Sequence, residues 1–212
     1  MNCDGRLTHI HEHPEIGERD LRLIRAHLPG ARTILDVGAG RGGFVRQAIQ
    51  AGFRALALDC EPDVQAIWRR EGVRGVLGDA FNPPLRLHSF DVVRAKEIVE
   101  HVHDPLTLVR AMRSLLTPEG ILLAHVPSPY SQLYPVGNFW DDYTHVRPFS
   151  RLGLQRLVED GGMTLRYVRG YTAGRSPIER LLAGALSRVL PHTYVVVAQV
   201  PPTPASLGPG GG

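Results

Sequence analysis

The run Ile34-Leu-Asp-Val-Gly-Ala-Gly-Arg-Gly-Gly-Phe44 constrains this chain more than any other segment. A β-prone apolar stretch, Thr33 to Val37, runs into four glycines within six residues, Gly38, Gly40, Gly42 and Gly43. A helix-compatible segment, Phe44 to Gln50, follows. Glycine lets the backbone turn sharply and lets a ligand approach closer than a Cβ would allow. Amides at the start of the following helix then face a polar or anionic ligand group. The segment reads as a strand–turn–helix junction that binds a nucleotide-type ligand.

Apolar periodicity orders the rest of the chain. Glu15 to Leu28 carries Ile16, Leu21, Leu23, Ile24 and Leu28 mostly at helical spacing, and Pro29-Gly30 ends it. Strands are predicted at Thr33–Val37, Arg54–Leu58 (closed by Asp59), Gly75–Leu77, Phe90–Arg94 and Ile121–Val126. Helices are predicted at Phe44–Ala51, Pro62–Glu71 and Pro105–Leu116. Alternating elements with apolar strands imply a parallel sheet covered by helices on both faces. Right-handed crossovers make it doubly wound, with ligands at the C-terminal strand ends. Asp36, Asp59, Asp79, Lys96–His101 and Pro127–Ser128 fall there.

After the fifth strand the pattern changes. Pro127–Phe149 is aperiodic and rich in Pro, Tyr, Trp and Asp, and a loop of this length is usually functional. A helix, Arg151–Asp160, is capped by Ser150 and stopped by Gly161-Gly162. Thr164–Val168 and Thr193–Val200 read as two closing strands. The fold class is therefore α/β, a doubly wound and mostly parallel seven-stranded sheet. Between the closing strands, Ile178, Leu181, Leu182, Ala185, Leu186, Val189 and Leu190 form an amphipathic stripe, read as site cover or a homodimer contact. The 212 residues read as one domain over 1–200. Residues 1–30 form an N-terminal helical cap, 127–149 and 170–192 cover the site, and 201–212 form a disordered tail.

Composition narrows the function. Net charge is +3 with scattered basic residues, which argues against nucleic acid as a partner. Lys96 is the only lysine, a bias of genome composition in a high-GC or thermophilic bacterium. No apolar run is long enough to span a membrane, and the N-terminus lacks a signal-peptide pattern. Cytoplasmic residence is expected. Cys3 and Cys60 show no metal or redox spacing and read as free thiols.

Two ligands compete for the glycine turn. Gly38-x-Gly40-x-x-Gly43 fits a dinucleotide motif and hence an NAD(P)-dependent oxidoreductase. Asp36-x-Gly38-x-Gly40-x-Gly42 resembles the first motif of class I S-adenosylmethionine-dependent methyltransferases. Asp36 decides between them, because a carboxylate repels a pyrophosphate and favours a sulfonium and an ammonium. The resemblance runs from about Thr33 to Val126, and the last two strands fit the family's closing hairpin, its last strand antiparallel. It implies that Asp36, Gly38, Ala39 and Gly40 line the methionine half of the cofactor. It also implies that Asp59 and Cys60 lie at the ribose, that Gly78, Asp79 and Ala80 form the adenine turn, and that Lys96 lies beside the cofactor. A non-catalytic cofactor-binding partner subunit is the third reading, and the intact first motif argues against it.

Lys96-Glu-Ile-Val-Glu-His-Val-His-Asp-Pro105 is similar to the segment after the fourth strand in small-molecule methyltransferases, including ubiquinone-biosynthesis O-methyltransferases. The acceptor is then a small molecule, methylated on a hydroxyl oxygen by in-line displacement, and histidine is the usual base for its proton. His101 is the first catalytic candidate. The resemblance also implies Mg²⁺ at Glu97, Glu100 and His101. Because magnesium prefers oxygen ligands, no metal is assigned there, nor at His9-x-His11-x-His13. Asn138-Phe-Trp-Asp-Asp-Tyr-Thr-His-Val-Arg-Pro-Phe-Ser150 is a second family-like stretch. It supplies His145 as an alternative base and Trp140, Tyr143 and Arg147 as substrate contacts. The bland reading has Trp140 and Phe149 packing the loop down and Arg147 paired with Asp141 or Asp142.

Overall fold

The structure, a computed structural model, describes residues 14–133, 138–172 and 188–202. Seven strands form one sheet in the order β3-β2-β1-β4-β5-β7-β6. They are β1 (Thr33–Val37), β2 (Arg54–Asp59), β3 (Gly75–Leu77), β4 (Phe90–Lys96), β5 (Leu116–Pro127), β6 (Thr164–Tyr171) and β7 (Thr193–Gln199). β1 to β5 are mutually parallel, and β7 runs antiparallel to both β5 and β6. The helices are α1 (Pro14–His27), α2 (Gly43–Gln50), α3 (Val64–Glu71), α4 (Pro105–Leu115) and α5 (Arg151–Asp160).

Side chains alternate across a strand, so each strand feeds two cores. Ile34, Val92, Ile121 and Leu123 pack with Leu21 and Ile24 of α1, Phe44 and Val45 of α2 and Trp68 of α3. Leu35, Val93, Leu122 and Ala124 pack on the other face with Leu108, Met112 and Leu115 of α4 and Leu154 and Val158 of α5. The strand order reverses between β1 and β4. Both of their C-terminal ends open into the crevice where ligands bind in such sheets.

The predicted elements recur with shifted ends. β4 continues through Lys96, β6 continues to Tyr171, and α3 begins at Val64. β5 begins at Leu116, because Leu116 pairs with Phe90 before the register jumps to Ile121 opposite Val92. The Pro118-Glu-Gly120 turn is thus a bulge inside a strand, with Glu119 at φ 62. The aperiodic loop holds two short 3-10 turns, Pro129–Leu133 and Phe139–Asp141. The amphipathic stripe up to residue 187, the three-histidine segment and the tail from residue 203 lie outside the described residues. No helix among the described residues is long and apolar enough to cross a membrane.

Candidate active site

The glycine turn closes tightly on β2. Gly38 and Ala39 both donate to the Leu58 carbonyl, at 2.8 and 3.2 Å. Gly38 sits at φ +66, and a Cβ there would stand 2.0 Å from Ile98 Cδ1. The positive φ calls for glycine, and a Cβ would also displace the end of the Ile98 side chain. The Trp68 indole donates to the Gly40 carbonyl at 2.8 Å and pins the turn from α3.

Asp59 joins the turn instead of standing free at the strand end. One oxygen accepts from the Gly40 amide at 2.7 Å and the other from the Glu61 amide at 3.0 Å. A carboxylate has about four acceptor positions, so two are not used by these bonds. A small cavity beside it is lined by Val37, Gly38, Leu58, Asp59, Cys60, Gly78 and Ala80. Five of these are residues predicted for the cofactor. Asp79 is exposed and accepts from the Phe81 amide at 3.0 Å, an ordinary Asx turn. Cys60 takes part in a disulfide, which overturns the free-thiol expectation for it. Disulfide pairing follows from the approach of two chain segments, which cysteine spacing does not encode. Cys3 lies outside the described residues.

Asp36 departs from the electrostatic expectation. It is 2% exposed, and its carboxylate accepts from Arg94 Nη1 at 2.8 Å. Its neighbour across the β1–β4 register is that same Arg94. The Arg94 Nε donates to Asp20 of α1 at 2.8 Å, and the guanidinium lies over the Phe44 ring, 4.1 Å from its centre. Asp20 also meets His125 Nε2 at 2.9 Å. The charge of Asp36 is therefore matched within the protein, and its main partner is Arg94. Burial pushes the Asp36 carboxyl up, against the pull of Arg94. Burial also raises Asp20, but His125 and Arg94 outweigh it and bring Asp20 below the usual carboxylate range. Sequence reasoning missed this network. Its signal was a charged or polar residue inside each of two otherwise apolar strands, Arg94 and His125.

The Lys96 ammonium pairs with the Glu97 carboxylate at 2.7 Å, so both predicted residues lean on each other at the end of β4. Glu97 itself takes a left-handed φ of 55. The chain then turns through Val99–His101. The Val146 amide donates to the Glu100 carbonyl at 2.8 Å, and this bond zips the loop of residues 138–150 onto that turn. His101 and His145, distant in sequence, come together with ring centres 4.6 Å apart.

Each imidazole is held by a bond at Nδ1. His145 Nδ1 lies 2.6 Å from the Phe139 carbonyl, which can only accept, so the proton sits on Nδ1. His101 Nδ1 lies 2.9 Å from the Thr144 hydroxyl, and that hydroxyl donates onward to Asp142 at 2.6 Å. The Thr144 oxygen then accepts from His101 Nδ1–H. A neutral ring held in this way carries its lone pair at Nε2. Burial, and then the neighbouring His145, push the His101 pKa below its ordinary value. Glu100, between them in the turn, is 0% exposed, and neither carboxylate oxygen has a hydrogen-bond partner. Burial pushes its carboxyl well up.

The bland reading of the loop is half right. Phe139 and Phe149 are the buried anchors, while Trp140 is 57% exposed with its indole on Gln132 Oε1. Tyr143 is 74% exposed. Arg147 Nη2 donates to the His103 carbonyl at 2.9 Å and forms no ion pair with Asp141 or Asp142 among the described residues. Asp141 instead caps the Asn138 amide.

A doubly wound sheet with a glycine turn, an acidic end to β2 and an Asx turn at its switch point defines an α/β protein that binds a nucleoside cofactor. The family model described as "Methyltransferase domain" matches residues 11–168. The ubiquinone biosynthesis O-methyltransferase of Methylococcus capsulatus is 30% identical over 198 residues, covering 82% of this chain and 79% of that one. The enzyme of the same description from Xanthomonas campestris is 38% identical over 114 residues, where the match covers 49% of this chain and 46% of the relative. This chain thus spans about half the length of that relative. Among solved structures, a SAM dependent methyltransferase from Archaeoglobus fulgidus shares the fold with a TM-score of 0.68 at 21% identity, covering 88% of this chain and 94% of that one. The chain belongs to the methyltransferase-domain family, and its fold is that of class I S-adenosylmethionine-dependent methyltransferases. The dinucleotide reading is thereby set aside. The tightly turned Gly38–Gly42 backbone and the Asp59 carboxylate, with acceptor capacity beyond its two amide bonds, are chemically compatible with the nucleoside half of that cofactor.

Proposed function

We propose that this protein methylates a hydroxyl oxygen of a small-molecule acceptor, with the acceptor proton taken at the His101–His145 pair. The carrying observation is that pair, each ring held by a hydrogen bond at Nδ1, which leaves Nε2 as the atom that would take the proton. His101 belongs to the turn that follows Ile98, whose side chain lies against Gly38, and this supports a base near the cofactor cradle. The oxygen acceptor is supported by the O-methyltransferase relatives.

When bound, S-adenosylmethionine supplies the electrophilic methyl group. The chain's own residues do the rest. Gly38, Ala39 and Gly40 cradle the methionine half, Asp59 accepts from the ribose hydroxyls, and Gly78, Asp79 and Ala80 border the adenine. The Arg94-compensated Asp36 holds the floor of the cradle and adds a shielded field. Trp140 and Tyr143 offer exposed aromatic surface to the acceptor from the loop that carries His145, and Arg147 anchors that loop while facing the acceptor's polar end. The lowered His101 pKa keeps the ring neutral and able to accept at neutral pH.

The test is methyl transfer from S-adenosylmethionine to a panel of small phenols and alcohols. For the acceptor found, His101→Ala and His145→Ala lower kcat by about 10²–10⁴-fold, the usual share of general-base catalysis. Affinity for S-adenosylhomocysteine, measured by calorimetry, stays unchanged. Full kcat in both variants refutes the base assignment, and methylation only of amines refutes the acceptor class.

A further inference from the structure

We propose that Cys60 is a redox-sensitive site whose disulfide closes the nucleoside pocket and whose reduction opens that pocket to the cofactor. The switch is separate from the His101–His145 pair and rests only on the cofactor reading of the pocket.

Cys60 is half-buried and lines the cavity at the end of β2 with Asp59, Gly78 and Ala80. It is bound in a disulfide. The chain has two cysteines, so within one chain its partner is Cys3. Cys3 lies outside the described residues, and the effect at the pocket comes from the second sulfur that Cys60 carries there. The cavity measures about 10 Å³, room for about one water molecule. A pocket that takes a small ligand measures about 300–1,000 Å³. Space for a nucleoside must therefore come from the lining residues, and all but one of them are held. Val37, Leu58 and Ala80 are buried in the core. Gly38 and Gly78 have no side chain to withdraw, and a Cβ at either would run into Ile98 or Pro84. Asp59 is tied to the Gly40 and Glu61 amides. Cys60 is the lining residue whose covalent state can change.

Opening is a thiol–disulfide exchange. A thiolate of a dithiol reductant attacks one sulfur of the bond. The S–S bond breaks, and the other sulfur leaves as a thiolate and takes a proton. The second thiol of the reductant then displaces the first sulfur and closes its own disulfide. Cys3 and Cys60 gain two electrons and two protons in all, and the reductant loses them. Glutathione disulfide reverses the exchange and becomes two molecules of glutathione.

The test is calorimetric titration of the full chain with S-adenosylhomocysteine, oxidised and after dithiothreitol, with intact mass confirming the two hydrogens gained on reduction. Reduction is expected to tighten binding by about tenfold or more, and glutathione disulfide to restore the weak form. Cys3→Ser is expected to bind like the reduced parent without reductant, and to weaken once glutathione disulfide caps Cys60 with glutathione. Cys60→Ser is expected to respond to neither reagent. Melting curves check that each sample is folded. Equal affinity in the oxidised and reduced parent, or a Cys3→Ser protein whose affinity the glutathione cap leaves unchanged, would overturn the switch while the cofactor reading stands. A folded parent that binds in neither state would overturn both.

Discussion

Replacing Arg94 by methionine isolates the largest electrostatic commitment in the fold. The guanidinium bonds Asp36 and Asp20 at 2.8 Å each, and all three side chains are buried. Removing one partner of a buried ion pair costs about 3–5 kcal/mol, because the other charge stays behind without compensation. For a chain of this size 1 kcal/mol moves Tm by about 2–4 °C, so Arg94→Met is expected to melt about 6–20 °C below the parent at pH 7. Acid shrinks the deficit, and the sign follows from linkage. Without Arg94, Asp36, already raised by burial, loses its main lowering partner, so its folded pKa stands further above the unfolded value of about 3.9, while Asp20 keeps His125. In that window the folded state binds more protons, so stability falls as pH rises through it. The parent is split. Asp20, held low, adds stability that is lost as pH falls through its folded pKa, while Asp36, held high, loses favour as pH rises through its own. Calorimetric melts at pH 7 and pH 4 therefore converge for variant and parent. A Tm within about 2 °C of the parent at pH 7, or a deficit that persists unchanged in acid, would refute charge compensation as the reason for the network.

Two further outcomes are expected. Gly38→Ala places a methyl 2.0 Å from Ile98 Cδ1 at φ +66; it should lower Tm and weaken S-adenosylhomocysteine binding at least tenfold by calorimetry, and near-parental affinity would show that the cradle tolerates a Cβ. The pH profile of kcat should have an acid limb with its midpoint below the ordinary histidine value, flat through neutrality, because His101 is held low by burial and then by His145. In His145→Ala the residual activity should show that limb moved to higher pH, and a limb that stays put removes the coupling between the rings.

Local chemistry made the strand ends legible. Thr33–Val37 and Gly75–Leu77 occur at their predicted bounds, and Arg151–Asp160 starts at the Ser150 cap, whose hydroxyl accepts from Gly153. Each of these signals lies within a few residues of what it specifies. The glycine turn was readable for the same reason, since Gly38 needs its positive φ whatever the rest of the chain does. Asp36 was read as an open charge, whereas the structure buries it against Arg94. Its partner Arg94 is remote in sequence and adjacent only through parallel strand pairing.

The sequence by itself determined the order of elements, the doubly wound sheet and the glycine turn after its first strand, because periodicity, glycines and caps act over one or two turns of chain. The tertiary structure alone decided which charges meet and which histidines face each other. Asp20 reaches Arg94 and His125 only when α1 docks across β4 and β5. His145 reaches His101 and Glu100 only when the Val146 amide zips the loop to the turn after β4. Such meetings depend on distances through space between segments far apart along the chain, and no local pattern of residues encodes them.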